Sequence, residues 1–105
     1  MALVIGKLGT PTRLSSGVEA QVYEVPANKR AVVDIDVSND AASATVRLRI
    51  GAASNTAANL EAGTVVPQNG GFERTRKAMS AGEKVFAHAS GSGVTVRVSG
   101  VEEDV

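Results

Sequence analysis

Arg30-Ala31-Val32-Val33-Asp34-Ile35-Asp36-Val37-Ser38-Asn39-Asp40-Ala41-Ala42-Ser43-Ala44-Thr45-Val46-Arg47-Leu48-Arg49-Ile50 decides the fold class. Val33, Ile35 and Val37 alternate with Asp34 and Asp36, and Val46, Leu48 and Ile50 alternate with Arg47 and Arg49. Strict period-two alternation is the mark of a half-buried strand. Folded back about Asn39–Ser43, the stretch becomes an antiparallel hairpin. Asp36 then faces Arg47 and Asp34 faces Arg49, while Val37 meets Val46, Ile35 meets Leu48 and Val33 meets Ile50. A one-residue slip would destroy both sets of pairs. Asp34 and Asp36 could serve a hydrolase as paired carboxylates, but the facing arginines make them structural charges.

The rest of the chain repeats this grammar. Val18–Val25 alternates as a strand and ends at the turn Pro26-Ala27-Asn28-Lys29. Gly51–Asn59 is a small-residue loop. Leu60–Val66 holds a short strand around Thr64–Val66, followed by the turn Pro67-Gln68-Asn69-Gly70-Gly71. Phe72–Met79 reads as a strand with Phe72, Arg74 and Arg76 on one face. Lys84–Ala89 and Val94–Ser99 read as a second hairpin about Ser90–Gly93, with Val85, Ala87, Val94, Val96 and Val98 buried together and Arg97 on the other face. No helical period of useful length occurs. The expectation is an all-β fold, an antiparallel β-sandwich of about seven strands, immunoglobulin-like or jelly-roll-like. A small closed barrel is the alternative. Residues 1–14, with Leu3, Val4 and Ile5 broken up by Gly6, Gly9 and Pro11, read as an N-terminal arm. Residues 15–105 read as a single sandwich domain.

Composition narrows the function. The 105 residues include no cysteine and one histidine, and the formal net charge is zero. Disulfide, thiolate and transition-metal chemistry are therefore poorly served, and no cofactor motif is present. A chain that depends on phosphate contacts is expected to carry a basic surplus, so nucleic acid is not expected as a partner. The start lacks the basic region and long apolar core of a signal peptide, and no stretch approaches a membrane span. The expectation is a soluble protein made in the cytoplasm. With 3% aromatic residues, the core is built from small side chains that each bury little area. Stability gained by association fits such a core, as does a small sandwich of modest stability.

Several side chains invite a functional reading. His88 could act as a base, but no Ser–His–carboxylate set can be assigned to it. Arg47, Arg49, Arg74, Arg76, Lys77 and Arg97 could form a basic patch, or a mixed face with Asp34, Asp36 and Glu73. Gly91-Ser92-Gly93 lacks the Lys-Ser/Thr of a phosphate loop and reads as a turn. Phe86 falls on the face opposite Val85 and Ala87. There it either anchors a partner or lies under other parts of the chain. Leu3, Val4 and Ile5 suit a strand laid on a neighbouring subunit, or a first strand of the same domain. Leu3, Val4, Ile5 and Phe86 are thus the candidate partner interface; no catalytic, cofactor-binding or metal-binding residue is expected.

Two segments carry a resemblance. Val22-Tyr23-Glu24-Val25-Pro26-Ala27-Asn28-Lys29-Arg30 and the Val-rich strand through Asn39 resemble the opening of small β-sandwich virion proteins of tailed bacteriophages, with their Tyr-x-Val-Pro-Ala corner. Met79–Ala87 and Gly93–Glu102 are similar to their closing hairpin. The resemblance spans roughly residues 18–102. It implies an immunoglobulin-like or jelly-roll-like sandwich without catalytic residues, which decorates a capsid or builds neck, tail or fibre parts. Expected partners are other virion proteins and further copies of the chain, in a virion assembled in the host cytoplasm. A carbohydrate-binding or adhesive module is the alternative. Such modules stack sugars on exposed aromatics, and this chain has only Tyr23, Phe72 and Phe86, with no tryptophan.

Overall fold

The computed structural model describes residues 3–9 and 11–105; the side chains of Leu3, Val4, Ile5 and Lys7 lie outside that description. The strands are β1 (Leu3–Lys7), β2 (Thr12–Arg13), β3 (Ala20–Glu24), β4 (Lys29–Asn39), β5 (Ala44–Gly51), β6 (Ala58–Val66), β7 (Gly71–Met79), β8 (Lys84–Ala89) and β9 (Val94–Asp104). They form two antiparallel sheets. The first runs β1-β9-β4-β7, with the two-residue β2 also on β9, and the second runs β3-β8-β5-β6. To the roughly seven strands expected, residues 3–7 and 12–13 add two that pair with β9, and the expected 60–66 strand begins at Ala58.

The pairings are nested. β5 pairs with β6, β4 with β7, β3 with β8, and β1 and β2 with β9. This is one long hairpin bent about residues 52–57 and rolled up, so that β9 also meets β4 and β8 also meets β5. The topology is a jelly roll of two Greek keys. It replaces both the immunoglobulin-like and the closed-barrel alternatives.

The roll-up corrects both expected hairpins. β4 and β5 lie in opposite sheets, and so do β8 and β9. Asp34 and Asp36 therefore do not face Arg49 and Arg47. The apolar halves of the patterns still meet, across the sandwich rather than along a ladder. Val33, Ile35, Val37, Val46 and Leu48 belong to one buried cluster with Val85, Ala87, Val94, Val96 and Val98. The charged halves point to opposite outer surfaces.

Asn39 explains why the chain crosses over. It is buried, and its amide nitrogen donates to the carbonyls of Ala42 and Val66, each at 3.0 Å, while its side-chain oxygen accepts from the Ala41 amide at 3.1 Å. Its backbone bonds Asn69 and Gly70. These bonds tie the end of β4 to the end of β6 in the other sheet, so the corner bridges the two layers. Asn39→Ala leaves several buried groups unpaired, each worth about 1–3 kcal/mol. The expected result is a loss of at least ~2 kcal/mol in urea unfolding, with the slope unchanged.

The segment expected as an arm lies along β9. β1 pairs with β9, Leu3–Lys7 opposite Ser99–Glu103, and β2 pairs Thr12 with Val96. Leu8 and Leu14 are buried in the core cluster. Any contact of the Leu3, Val4 and Ile5 side chains with a neighbour lies outside the described residues.

Candidate functional site

The outer face of the first sheet is a set of transverse rows fixed by register. On β4 and β9 the outward partners are Arg30 with Glu103, Val32 with Val101, Asp34 with Ser99, and Asp36 with Arg97. Asp34 has a partner that the sequence did not suggest. Between Lys77 and Arg74 the β4–β7 register shifts, so Thr75 and Arg76 both stand opposite Asp34. Two residues against one make a β-bulge. Arg76 sits there at φ 56°, in the left-handed region that only a few per cent of non-glycine residues adopt. The Asp34 carboxylate accepts the Arg76 amide at 2.9 Å and holds the bulge. The bulge also turns Arg76 outward, so it does not share a face with Phe72 and Arg74 as expected.

Asp36 lies in register between Arg97 and Glu73. The Asp36 hydrogen bond and negative charge raise the Glu73 pKa, because removing the proton there would set two carboxylates side by side. Arg97 makes no ion pair with any described residue.

On the outer face of the second sheet, Arg47 stands in register with His88, and Arg49 with Phe86. Glu19 accepts from Arg47 at 3.2 Å, from Arg49 at 3.4 Å and from the Ser54 hydroxyl. Arg49 also donates to the carbonyls of Ser54 and Ala57 at 2.5 and 3.2 Å. The 52–57 loop is thereby tied onto this face. Burial disfavours the Glu19 charge, but the Ser54 and Arg47 hydrogen bonds and both arginine charges outweigh it and lower its pKa. Among the described residues, Arg47 Nε is buried without a hydrogen-bond partner. Phe86 is only 7% exposed and stands outside the main core. The chain itself covers this ring, which leaves little of it for a partner.

Of the two arrangements open for the basic residues, the single patch does not form, and Arg76 and Arg97 share a mixed face with Asp34, Asp36 and Glu73. Arg47 and Arg49 serve Glu19, whereas Arg74 closes an open side of the sandwich. From β7 in the first sheet, Arg74 binds Glu61 of β6 in the second, at 2.6 Å through Nε and 2.5 Å through Nη2, with its guanidinium 4.7 Å over the Phe72 ring. The Thr64 hydroxyl and Arg74 hold the Glu61 pKa below its usual value.

One buried polar pair links the layers at the other side. The Tyr23 hydroxyl of β3 donates to the Glu102 carboxylate of β9, and both side chains are buried. Burial, then the hydrogen bond and charge of Glu102, push the Tyr23 pKa well above 10.0. Both residues lie in the segments that carry the phage-protein resemblance; the parity of β9 signals Glu102, but Tyr23 turns inward beside the buried Val22 only through a register shift in β3. An unfolded chain ionises this tyrosine above pH ~10, while the folded one keeps it protonated. Its contribution is therefore complete below pH ~10 and lost as pH rises further. Tyr23→Phe leaves the Glu102 carboxylate short of a donor and is expected to lower stability by about 1–3 kcal/mol at neutral pH. Thermal midpoints measured between pH 7 and roughly pH 11 should converge for the two chains.

The sequence also missed a groove of about 470 Å³ at one end of the first sheet's outer face, where Val32, Ala78 and Val101 are flanked by Arg30 and Glu103. Val32 is 48% exposed. Val32 pairs in register with both Val101 and Ala78, so one apolar row crosses three strands. Each of these residues belongs to a different strand, and a row across strands emerges only when the strands are set side by side.

No protein family model matches the chain, and no curated protein does. Among solved structures, the chain is distantly similar to a pentameric capsid protein isolated from metagenomic phage sequences. The identity is 15% and the TM-score 0.41, over 95% of this chain. The chain spans 61% of that capsid protein's length.

Proposed function

We propose that this chain is a non-enzymatic structural subunit of a bacteriophage virion, a capsid decoration or a neck- or tail-associated protein that binds a symmetric protein lattice. The observation that carries the reading is the outer face of the first sheet. It presents an exposed apolar row with charged residues on either side, the anatomy of a protein-contact surface. The carboxylates that best suited hydrolysis serve the strands instead. Asp34 holds the β7 bulge, and Asp36 stands in register between Arg97 and Glu73. Tyr23 and Phe86 are buried and Phe72 is half-buried, which favours a protein partner over a stacked sugar. The resemblance over residues 18–102 supplies the virion context. Mass spectrometry of purified particles of the encoding phage should find the chain in a fixed ratio to the major capsid or tail proteins. Its absence from particles would overturn the proposal.

A further inference from the structure

We infer that the outer face of the first sheet docks a second copy of this chain through a two-fold axis that runs parallel to the strands, between β4 and β9. The inference rests on reading that face as a protein-contact surface and names the partner. A two-fold interface is isologous, so every residue must be complementary to whatever the axis sets opposite it. An axis between β4 and β9 sets each β4 residue over the partner copy's register mate on β9.

The register makes those matches favourable. Arg30 falls over Glu103 of the second copy, Val32 over Val101, Asp34 over Ser99, and Asp36 over Arg97. These four rows pair opposite charges, two apolar groups, or a carboxylate with a hydroxyl, and the next, Ser38 with Thr95, pairs two hydroxyls. No like charges meet in these four β4–β9 rows; on the flanking strands, the outward Arg76 of β7 falls over the register position of Lys7 on β1. The same axis brings Ala78 of β7 over the register position of Ile5 on β1.

Two features of the single chain point the same way. Arg97 is exposed and forms no ion pair with a described residue, although its register mate is Asp36. A second copy sets its Asp36 over this Arg97 and its Arg97 over this Asp36. Val32, Ala78 and Val101 line an apolar groove that the monomer leaves open. Two such sheets pack face to face at about 10 Å with their inward side chains interdigitated.

Sedimentation velocity on the purified full chain, across a concentration series, tests the inference. The wild type should sediment as a dimer at the upper concentrations. V32E enters each interface twice; a tenfold penalty per copy raises the dimer dissociation constant about 100-fold. D36R should also weaken association, because it sets Arg against Arg97 of the other copy, and the double variant D36R/R97D should restore it. Circular dichroism on each variant separates lost association from lost folding. A wild type that stays monomeric throughout overturns the inference. So does an oligomer that V32E leaves intact, since it uses another surface. A chain found in particles but monomeric in solution would sink the two-fold interface alone. A dimer absent from particles would sink the virion role alone.

Discussion

Val96→Asp is expected to unfold the protein. Val96 is 0% exposed, and its backbone lies between Val37 of β4 and Thr12 of β2. Its side chain points into a cluster built from Val, Leu, Ile and Ala. A carboxylate placed there has no partner, and an isolated buried charge is among the few single changes that exceed 4–5 kcal/mol, to about that order or more. A domain of this size has a total stability of about 5–15 kcal/mol. Most of that margin disappears, and the native circular dichroism signal should be absent or the midpoint lowered by tens of degrees. Arg97→Gln is the control. It is the next residue, on the opposite face and exposed, so its effect should stay within about 0.5 kcal/mol. An unchanged midpoint for Val96→Asp would refute the inward parity of β9.

Leu14→Ala should have the next largest effect, of about 2–5 kcal/mol. Leu14 is 2% exposed, and its amide donates to the Val94 carbonyl at 2.8 Å. Its side chain is one of the larger ones in a core otherwise rich in Val and Ala, so truncation leaves a cavity that small neighbours cannot refill. With a midpoint shift of roughly 4–8 °C per kcal/mol in a domain of this size, a drop near 10 °C or more is expected. The experiment also decides what the segment before residue 15 does. An arm that serves only assembly predicts no change in the monomer's midpoint. A segment docked on β9 predicts the full loss, and Leu8→Ala, also buried, should behave similarly.

Much of the fold was legible as parity and little of it as pairing. Val85, Ala87, Val94, Val96 and Val98 were expected to be buried together with Arg97 outside, and they are. The reason first offered, a local hairpin about Ser90–Gly93, is not the one that operates. β8 and β9 lie in facing sheets, and inward residues of facing sheets meet just as inward residues of paired strands do. Alternation therefore gives the same burial for either topology. Charges discriminate where apolar residues do not. A true hairpin would have set Asp36 on Arg47; the roll-up sends Asp36 to Glu73 and Arg97, and Arg47 to Glu19.

The site was less legible because it is made of rows that cross strands. Val32, Ala78 and Val101 lie far apart in the chain, and nothing local aligns them. The bulge at Thr75–Arg76 was hidden for a related reason. Its positive φ at Arg76 carries no glycine to announce it, and the group that stabilises it, Asp34, is 42 residues away in sequence.

By itself the sequence determined that the chain is all-β, which residues of most strands turn inward, where several turns fall, and that cysteine chemistry has no place. Those properties follow from backbone sterics and from the two-residue repeat of an extended chain, both local. Only the tertiary structure decided which strands are neighbours, that Asn39 carries the chain from one layer to the other, and which charges and apolar residues share an outer face. Strand pairing is settled by the roll of the whole hairpin. It places each residue opposite partners from distant parts of the chain, and no short-range pattern contains that information.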